Sequence, residues 1–359
     1  MKIVNVRPNI SDRLSAYAGF DWNRALFFDI ETTGLNHRRS HLYLIGALWQ
    51  SEDAFRLRQW FAEKPGDEQY ILQDFLQFSS GFTRLVHYNG ASFDIPYLIH
   101  KCAFYGIDTS VLQMDSCDLY TRFRPLKPWL STENLKLKTM EQAVGLQRQD
   151  CYTGKELIEL YKKWLQTGDR HLLDAMLLHN CEDITGMVQI QRLFPLLALR
   201  NGTLPLSLER CSDEPDSLTL YLIPAERFPL SLNTEKNDIF LSVKKDAVQL
   251  RLPKRQDELR LYFPDYRNYF YLPREDRAIH KSVAVYTDPA YRRKAVPDTC
   301  YERLTGTFLP QWEDNFTPVF RKNRSDQTGY FLFDQKLLKQ NEKLSAYAAQ
   351  TIHYLLKSR

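Results

Sequence analysis

Over residues 25–200, short apolar runs alternate with segments whose apolar residues recur every three or four positions. The runs 25–31 (ALFFDIE), 42–49 (LYLIGALW), 55–61 (FRLRQWF) and 84–88 (RLVHY) have the length and composition of strands. The first three follow one another through short connections, which predicts an antiparallel meander. Residues 67–80 then place Tyr70, Leu72, Phe75, Leu76 and Phe78 at helical intervals. Residues 92–106 read as a helix after Pro96 that stops at Gly106. Residues 155–166 and 170–194 repeat the helical pattern. Three meander strands followed by strand–helix order predict an α/β fold, a mixed sheet flanked by helices.

Near residue 195 the pattern breaks. The stretch FPLLALRNGTLPLSLERCSDEPDSL is rich in turn formers. It predicts a linker over 199–235 between a first domain, 1–198 with its core at about 24–195, and a second at 236–359. In the second domain the short runs 239–243, 247–252, 259–263, 269–272, 282–286 and 330–333 are separated by Pro, Asp and Asn. They predict a β-rich C-terminal domain, closed by a helix at 342–357.

Composition narrows the class. The 359 residues are 43% hydrophobic and 13% aromatic, enough for packed cores and far from a disordered composition. No apolar stretch approaches the roughly 20 residues that span a bilayer, and the first residues lack the apolar core of a signal peptide. The expectation is a cytoplasmic protein without a membrane partner. Six scattered cysteines form no CxxC pair and read as reduced thiols. The whole net charge of +4 falls in residues 201–359, with 25 Lys+Arg against 21 Asp+Glu. That suits an anionic partner only weakly.

The candidate chemistry lies in three places. Asp29 and Glu31 are two apart on a predicted strand, so both point to one face. Two carboxylates there repel unless a cation lies between them, and hard divalent cations take oxygen ligands. The same pattern also describes a strand end with two solvated acids. In HYNGASFDIP (87–96), Asp94 opens a helix, where the dipole alone favours an acid, and Asn89 is a turn residue or a ligand to phosphate or sugar. In LLHNCEDITGMV (177–188), His179 and Asp183 are i and i+4 and share a helix face. A histidine on such a helix is commonly structural; beside a metal-binding acid it fits a general base.

Taken in order, the DxE strand, the NGxxFD turn into a helix and the late HxxxD helix resemble the DnaQ-like (DEDD) 3′–5′ exonuclease superfamily, which has a ribonuclease H-like fold. The closer likeness is to its bacterial YprB-like branch, over roughly residues 24–195. The resemblance implies a ribonuclease H-like sheet and metal binding by Asp29, Glu31, Asp94 and Asp183. It further implies two Mg²⁺ or Mn²⁺ ions and a phosphodiester-hydrolysing 3′–5′ exonuclease with His179 as the base. The implied partner is nucleic acid, DNA or RNA, with a single-stranded 3′ end. One departure stands out. Histidine-type members carry the His five residues before the last Asp, and tyrosine-type members carry a Tyr four before it; here a His occupies the tyrosine-type spacing. Asp118 reads as structural. Thr32 and Asn89 are candidate substrate contacts. Two other readings compete: a ribonuclease H-like structure-specific endonuclease, and a non-catalytic nucleic-acid-binding protein that kept the fold.

In the second domain, Tyr266, Arg267, Tyr269 and Tyr271 interleave aromatic and basic side chains, as single-strand-binding surfaces do. Arg292, Arg293 and Lys294 form a basic cluster suited to phosphates. The aromatics equally fit the alternation of a β-domain core. The expectation for the domain as a whole is a nucleic-acid clamp.

Overall fold

Strand β2 (Ala25–Thr32) explains the first unit, because it is apolar on both sides. Its neighbours follow from that. In this computed structural model, which describes residues 1–10, 14–52 and 54–357, β2 lies inside a six-stranded sheet. The other strands are β1 (Lys2–Val6), β3 (Leu42–Ser51), β4 (Ala54–Phe61), β5 (Arg84–His87) and β6 (Asp115–Asp118), in the order β1-β4-β3-β2-β5-β6. β2 pairs antiparallel with β3 and parallel with β5. It is thus the strand at which the meander turns into the parallel half, as the sequence predicts. Covered on both faces, it carries a continuous buried run, Ala25 to Phe28.

Helices cover the sheet: α1 (Glu68–Ser79), α2 (Asp94–Tyr105), α3 (Leu119–Phe123), α4 (Leu137–Ala143), α5 (Gly154–Thr167) and α6 (Arg170–Gln189). Leu26, Phe28 and Ile30 join a core with Phe75 of α1 and Leu98 of α2. The alternate residues Phe27, Asp29 and Glu31 point to the opposite face, where Phe27 stacks on Trp22. α5 begins with a full capping box between Thr153 and Glu156. α6 is capped by Asp169, whose side chain accepts the His171 amide.

The chain divides between Leu197 and Ala198, within α7 (Phe194–Arg200). The expected linker over 199–235 is corrected here, because it is folded. It contributes β7 (Leu206–Asp213), β8 (Ser217–Pro224) and most of β9 (Leu232–Lys236). With β10 (Ile239–Lys244) and β11 (Ala247–Pro253) these form an antiparallel sheet in the order β7-β8-β11-β10-β9. Of the turn formers that suggested a linker, Asn201, Gly202 and Pro205 lie between α7 and β7, and Pro215 and Asp216 lie between β7 and β8. A small closed barrel follows from β12 (Arg255–Tyr262), β16 (Tyr301–Gln311), β17 (Phe320–Arg321) and β18 (Gly329–Leu332). Between its first two strands is inserted a three-stranded sheet of β13 (Tyr269–Leu272), β14 (Arg277–His280) and β15 (Arg293–Lys294).

A second correction concerns residues 282–286. The alternation SVAVY predicts a strand, but the segment begins as a short helix, α8 (Lys281–Ala284), capped by the His280 side chain. Only Ala284 of these five residues is buried; Val283, Val285 and Tyr286 face solvent. The last helix, α9 (Asn341–Lys357), buries Leu344, Tyr347, Ala348, Thr351, Ile352 and Leu355 on one face. No helix among the described residues is long and apolar enough to cross a membrane.

Candidate metal centre

Each site residue reaches its place for a local reason. Asp29 and Glu31 end the buried run of β2, and a register shift between Glu31 and Thr32 breaks the ladder just beyond them. α6 crosses this face closely because Asp29 pairs with Gly46 on β3. A Cβ at Gly46 would lie 2.0 Å from Asn180 Oδ1 and 2.4 Å from Ile184. The glycine is what lets α6 settle against the sheet. Asn180 then donates to Asp29 Oδ2 at 3.0 Å, while Gln59 donates to Asn180 Oδ1 at 2.9 Å. Gln59 and Asn180 are buried. This chain of amides sets the direction of the Asp29 carboxylate.

Asp94 arrives from the other side. Asn89 takes a left-handed backbone, φ 61°. Its amide donates to Asp118 at 2.9 Å, and its side chain accepts from Ser92 at 2.9 Å. Asp118 also caps α3 by accepting the Tyr120 amide, so its role in the fold is structural. The turn brings Asp94 to the start of α2, where the Ile30 amide hydrogen-bonds its carboxylate. Asp94 therefore stands beside the strand residue that separates Asp29 from Glu31.

On α6, one helical turn aligns His179 with Asp183. His179 Nε2 is 3.3 Å from Asp183 Oδ2 and 3.6 Å from Glu31 Oε1. One ligand atom from each of Glu31, His179 and Asp183 lies within 4.8 Å of the other two. Asp183 also meets the Arg148 guanidinium, which in turn holds Glu141 of α4 with 2.6 Å between Nη2 and Oε1. Gly186 makes room for that pair: a Cβ there would lie 1.7 Å from Glu141 Oε1.

The electrostatics are those of too many acids in too little water. Burial, then repulsion from Asp183, Glu31 and Asp94, holds Asp29 well above the usual carboxylate range despite the Asn180 hydrogen bond. Burial pushes Glu31 up to about 8 against the pull of His179, with Asp183 and Asp94 adding to the rise. Asp94 is pushed up to about 7 by burial, which outweighs its backbone hydrogen bonds. Burial raises Asp183 as well, but His179 and Arg148 overcome it and hold it below the usual range. For His179, burial favours the neutral ring, yet Asp183, Glu31 and Asp150 together raise its pKa.

The structure thus gathers Asp29, Glu31, Asp94, His179 and Asp183 around one strand end. Thr32 is buried beside them, its hydroxyl donating to the Gly34 carbonyl at 2.9 Å. Arg292, Arg293 and Lys294 belong to the second unit. Arg292 is engaged there, donating to the Ala284 carbonyl with its guanidinium 4.9 Å from the Phe270 ring. Arg293 and Lys294 are exposed. Tyr266, Tyr269 and Tyr271 pack against the small core around Ala278, Ala295 and Cys300, which favours the core reading of those aromatics. Sequence reasoning missed Gln59, Asn180, Glu141, Arg148 and Asp150. Only Asn180 carried a signal, as a polar residue beside His179 on the packed face of α6.

Residues 26–194, a little under half of the chain, match the sequence model of the RNase_H superfamily. Among curated proteins, the chain is similar to the uncharacterized protein YprB of Bacillus subtilis (strain 168), 30% identical over 188 residues. That match covers 51% of this chain and 45% of YprB, so the chain spans about half the length of this relative. Among solved structures, the family B DNA polymerase of the archaeon Pyrobaculum calidifontis aligns over 93% of this chain and 46% of its own, at 15% identity and a TM-score of 0.39. E. coli exonuclease I in complex with an oligonucleotide aligns over 56% and 55%, at 12% identity and a TM-score of 0.28.

Proposed function

We propose that residues 24–195 form a divalent-cation-dependent 3′–5′ exonuclease that hydrolyses phosphodiester bonds of nucleic acid with a single-stranded 3′ end. The carrying observation is the convergence of Asp29, Glu31, Asp94 and Asp183 on one buried strand end, three of them held above the usual carboxylate range. Protein cations only partly offset that charge: Arg148 reaches Asp183, but its other contact is Glu141. A donor set of clustered carboxylates fits Mg²⁺ or Mn²⁺. When bound, such cations would neutralise the acids, polarise the scissile phosphate and lower the pKa of a water molecule.

The chain's own residues supply the frame. Asp29, oriented by Asn180 and through it by Gln59, would hold the cations together with Glu31, Asp94 and Asp183. The apolar strand Ala25–Phe28 keeps the pair of acids rigid, which matters because displacements of about 1 Å cost large factors in rate.

The test is a panel of end-labelled DNA and RNA oligonucleotides, with free or blocked 3′ ends, incubated with Mg²⁺ or Mn²⁺. The expected result is a ladder shortening by single nucleotides from free 3′ ends and no products from blocked ones. Cleavage of a circular substrate would instead identify an endonuclease. Cation binding without turnover would identify a nucleic-acid-binding protein.

For the second unit we propose that Arg293 and Lys294 on β15 contact phosphates of the strand. The double variant Arg293→Ala/Lys294→Ala leaves the engaged Arg292 in place. It is expected to weaken oligonucleotide binding and to flatten the dependence of log K on log salt by roughly 0.7 per lost contact. Binding isotherms at three salt concentrations measure this. An unchanged slope would remove β15 from the nucleic-acid surface.

A further inference from the structure

The two ring nitrogens of His179 face different partners, and this bears on its role. Nδ1 stands 2.8 Å from Asp150 Oδ2. That carboxylate is itself fixed: Lys138 Nζ donates to Oδ2 at 2.7 Å, and the Tyr152 amide donates to Oδ1 at 3.0 Å. Lys138 also donates to the Tyr152 carbonyl at 2.7 Å, so the loop is tied on both sides. An ionised carboxylate only accepts, so in the neutral imidazole that a cation ligand must be, the ring proton sits on Nδ1 and the lone pair on Nε2. Nε2 is the nitrogen that faces the acids, 3.3 Å from Asp183 Oδ2 and 3.6 Å from Glu31 Oε1.

Those spacings are those of donors sharing one small ion. Two ligand atoms each about 2.0–2.2 Å from a cation lie roughly 3.0 Å apart at a right angle and roughly 3.5 Å apart at the tetrahedral angle. The remaining pair, Glu31 and Asp183, offers ligand atoms within 4.8 Å of each other. A carboxylate that holds the far nitrogen of a metal-bound histidine is a recurring outer support, because it fixes both tautomer and ring orientation.

We propose that His179 Nε2 is a direct ligand of the divalent cation, completing a one-nitrogen, two-carboxylate site with Glu31 and Asp183, and that Asp150 with Lys138 positions it. The proposal rests on reading the acids as a cation site, and it replaces the expectation that His179 acts as the base. It has a consequence for metal choice. An imidazole donor favours Mn²⁺ and later first-row ions over Mg²⁺, which prefers oxygen.

The experiment uses the full chain, stripped of metal and titrated with Mn²⁺. Bound Mn²⁺ is counted by electron paramagnetic resonance, and its ligands are read from pulsed-EPR nitrogen modulation. The expected result is imidazole ¹⁴N modulation in the wild type, lost in His179→Gln. Asp150→Asn is expected to bind Mn²⁺ about 10- to 100-fold more weakly. Bound Mn²⁺ without ¹⁴N modulation in the unmutated protein overturns the ligand assignment while leaving the cation site standing. Failure of the wild type to bind Mn²⁺ at all overturns the cation site, and this inference with it. The wild-type spectrum decides the matter even if a variant fails to fold.

Discussion

Asp29→Asn is expected to lower cation-dependent hydrolysis by about 10³-fold or more while raising the melting temperature of the cation-free protein. The loss follows from the placement of Asp29 between the other acids: a cation site is worth several kcal/mol of transition-state stabilisation, and each 1.4 kcal/mol is tenfold in rate. The gain in stability follows from the same carboxylate. Burial and three neighbouring acids hold its pKa well above the ordinary range. An acid raised on folding favours the native state only while it is protonated, so its contribution is lost as pH rises through the folded pKa. Glu31, raised from 4.5 to about 8, and Asp94, raised from 3.8 to about 7, act in the same direction. The cation-free wild type should therefore lose stability between about pH 4.5 and pH 8, and Mn²⁺ should restore it most at the upper end. Asn at position 29 removes one charge and keeps an acceptor for Asn180, so its pH profile should be flatter. Thermal melts in EDTA at pH 5, 6.5 and 8, paired with activity assays, measure both effects. Wild-type activity in Asp29→Asn, or a lower melting temperature in EDTA, would count against the cation site.

Arg148→Ala is expected to destabilise the first unit by about 3–5 kcal/mol, the usual cost of removing one partner from a buried ion pair. Glu141 is buried and its carboxylate bonds Arg148 through two oxygens. It cannot swing away, since Gly186 of α6 lies directly against it. Truncating Arg148 leaves that carboxylate unpaired and also frees Asp183 from a cation. Adding Glu141→Gln should recover much of the loss, because a neutral amide tolerates burial better than a lone charge. Urea denaturation of the single and double variants gives the comparison. A loss below about 1 kcal/mol in Arg148→Ala would place the pair among the weak surface bridges.

The elements most legible in the chain are those with strong periodicity. The run ALFFDIE becomes β2, and most of the 170–194 pattern becomes α6, Arg170–Gln189, because burial selects an apolar run in the first and a helical repeat in the second. The pairing of Asp29 with Glu31 on one face, and of His179 with Asp183 on another, needs only the strand and helix repeats. The misreadings share a cause. Residues 199–235 carry Asn201, Gly202 and Pro205 ahead of β7 and Pro215 and Asp216 between β7 and β8, and such residues look alike in a linker and in the connections of a sheet. Residues 282–286 alternate as a strand does, yet three of their apolar side chains face solvent and a histidine caps them into a helix.

By itself, then, the sequence determined that Asp29 and Glu31 share a strand face and that His179 and Asp183 share a helix face, because those relations are local. Only the tertiary structure decided what surrounds them. Arg148 and Asp150 come from a loop with no repeat to read, and they meet α6 across 35 and 29 residues. Gly46 matters only because α6 crosses β3 at that point. The orientation of His179, with Nδ1 on Asp150 and Nε2 on the acids, arises where loop, strand and helix meet, and no local pattern encodes such a meeting.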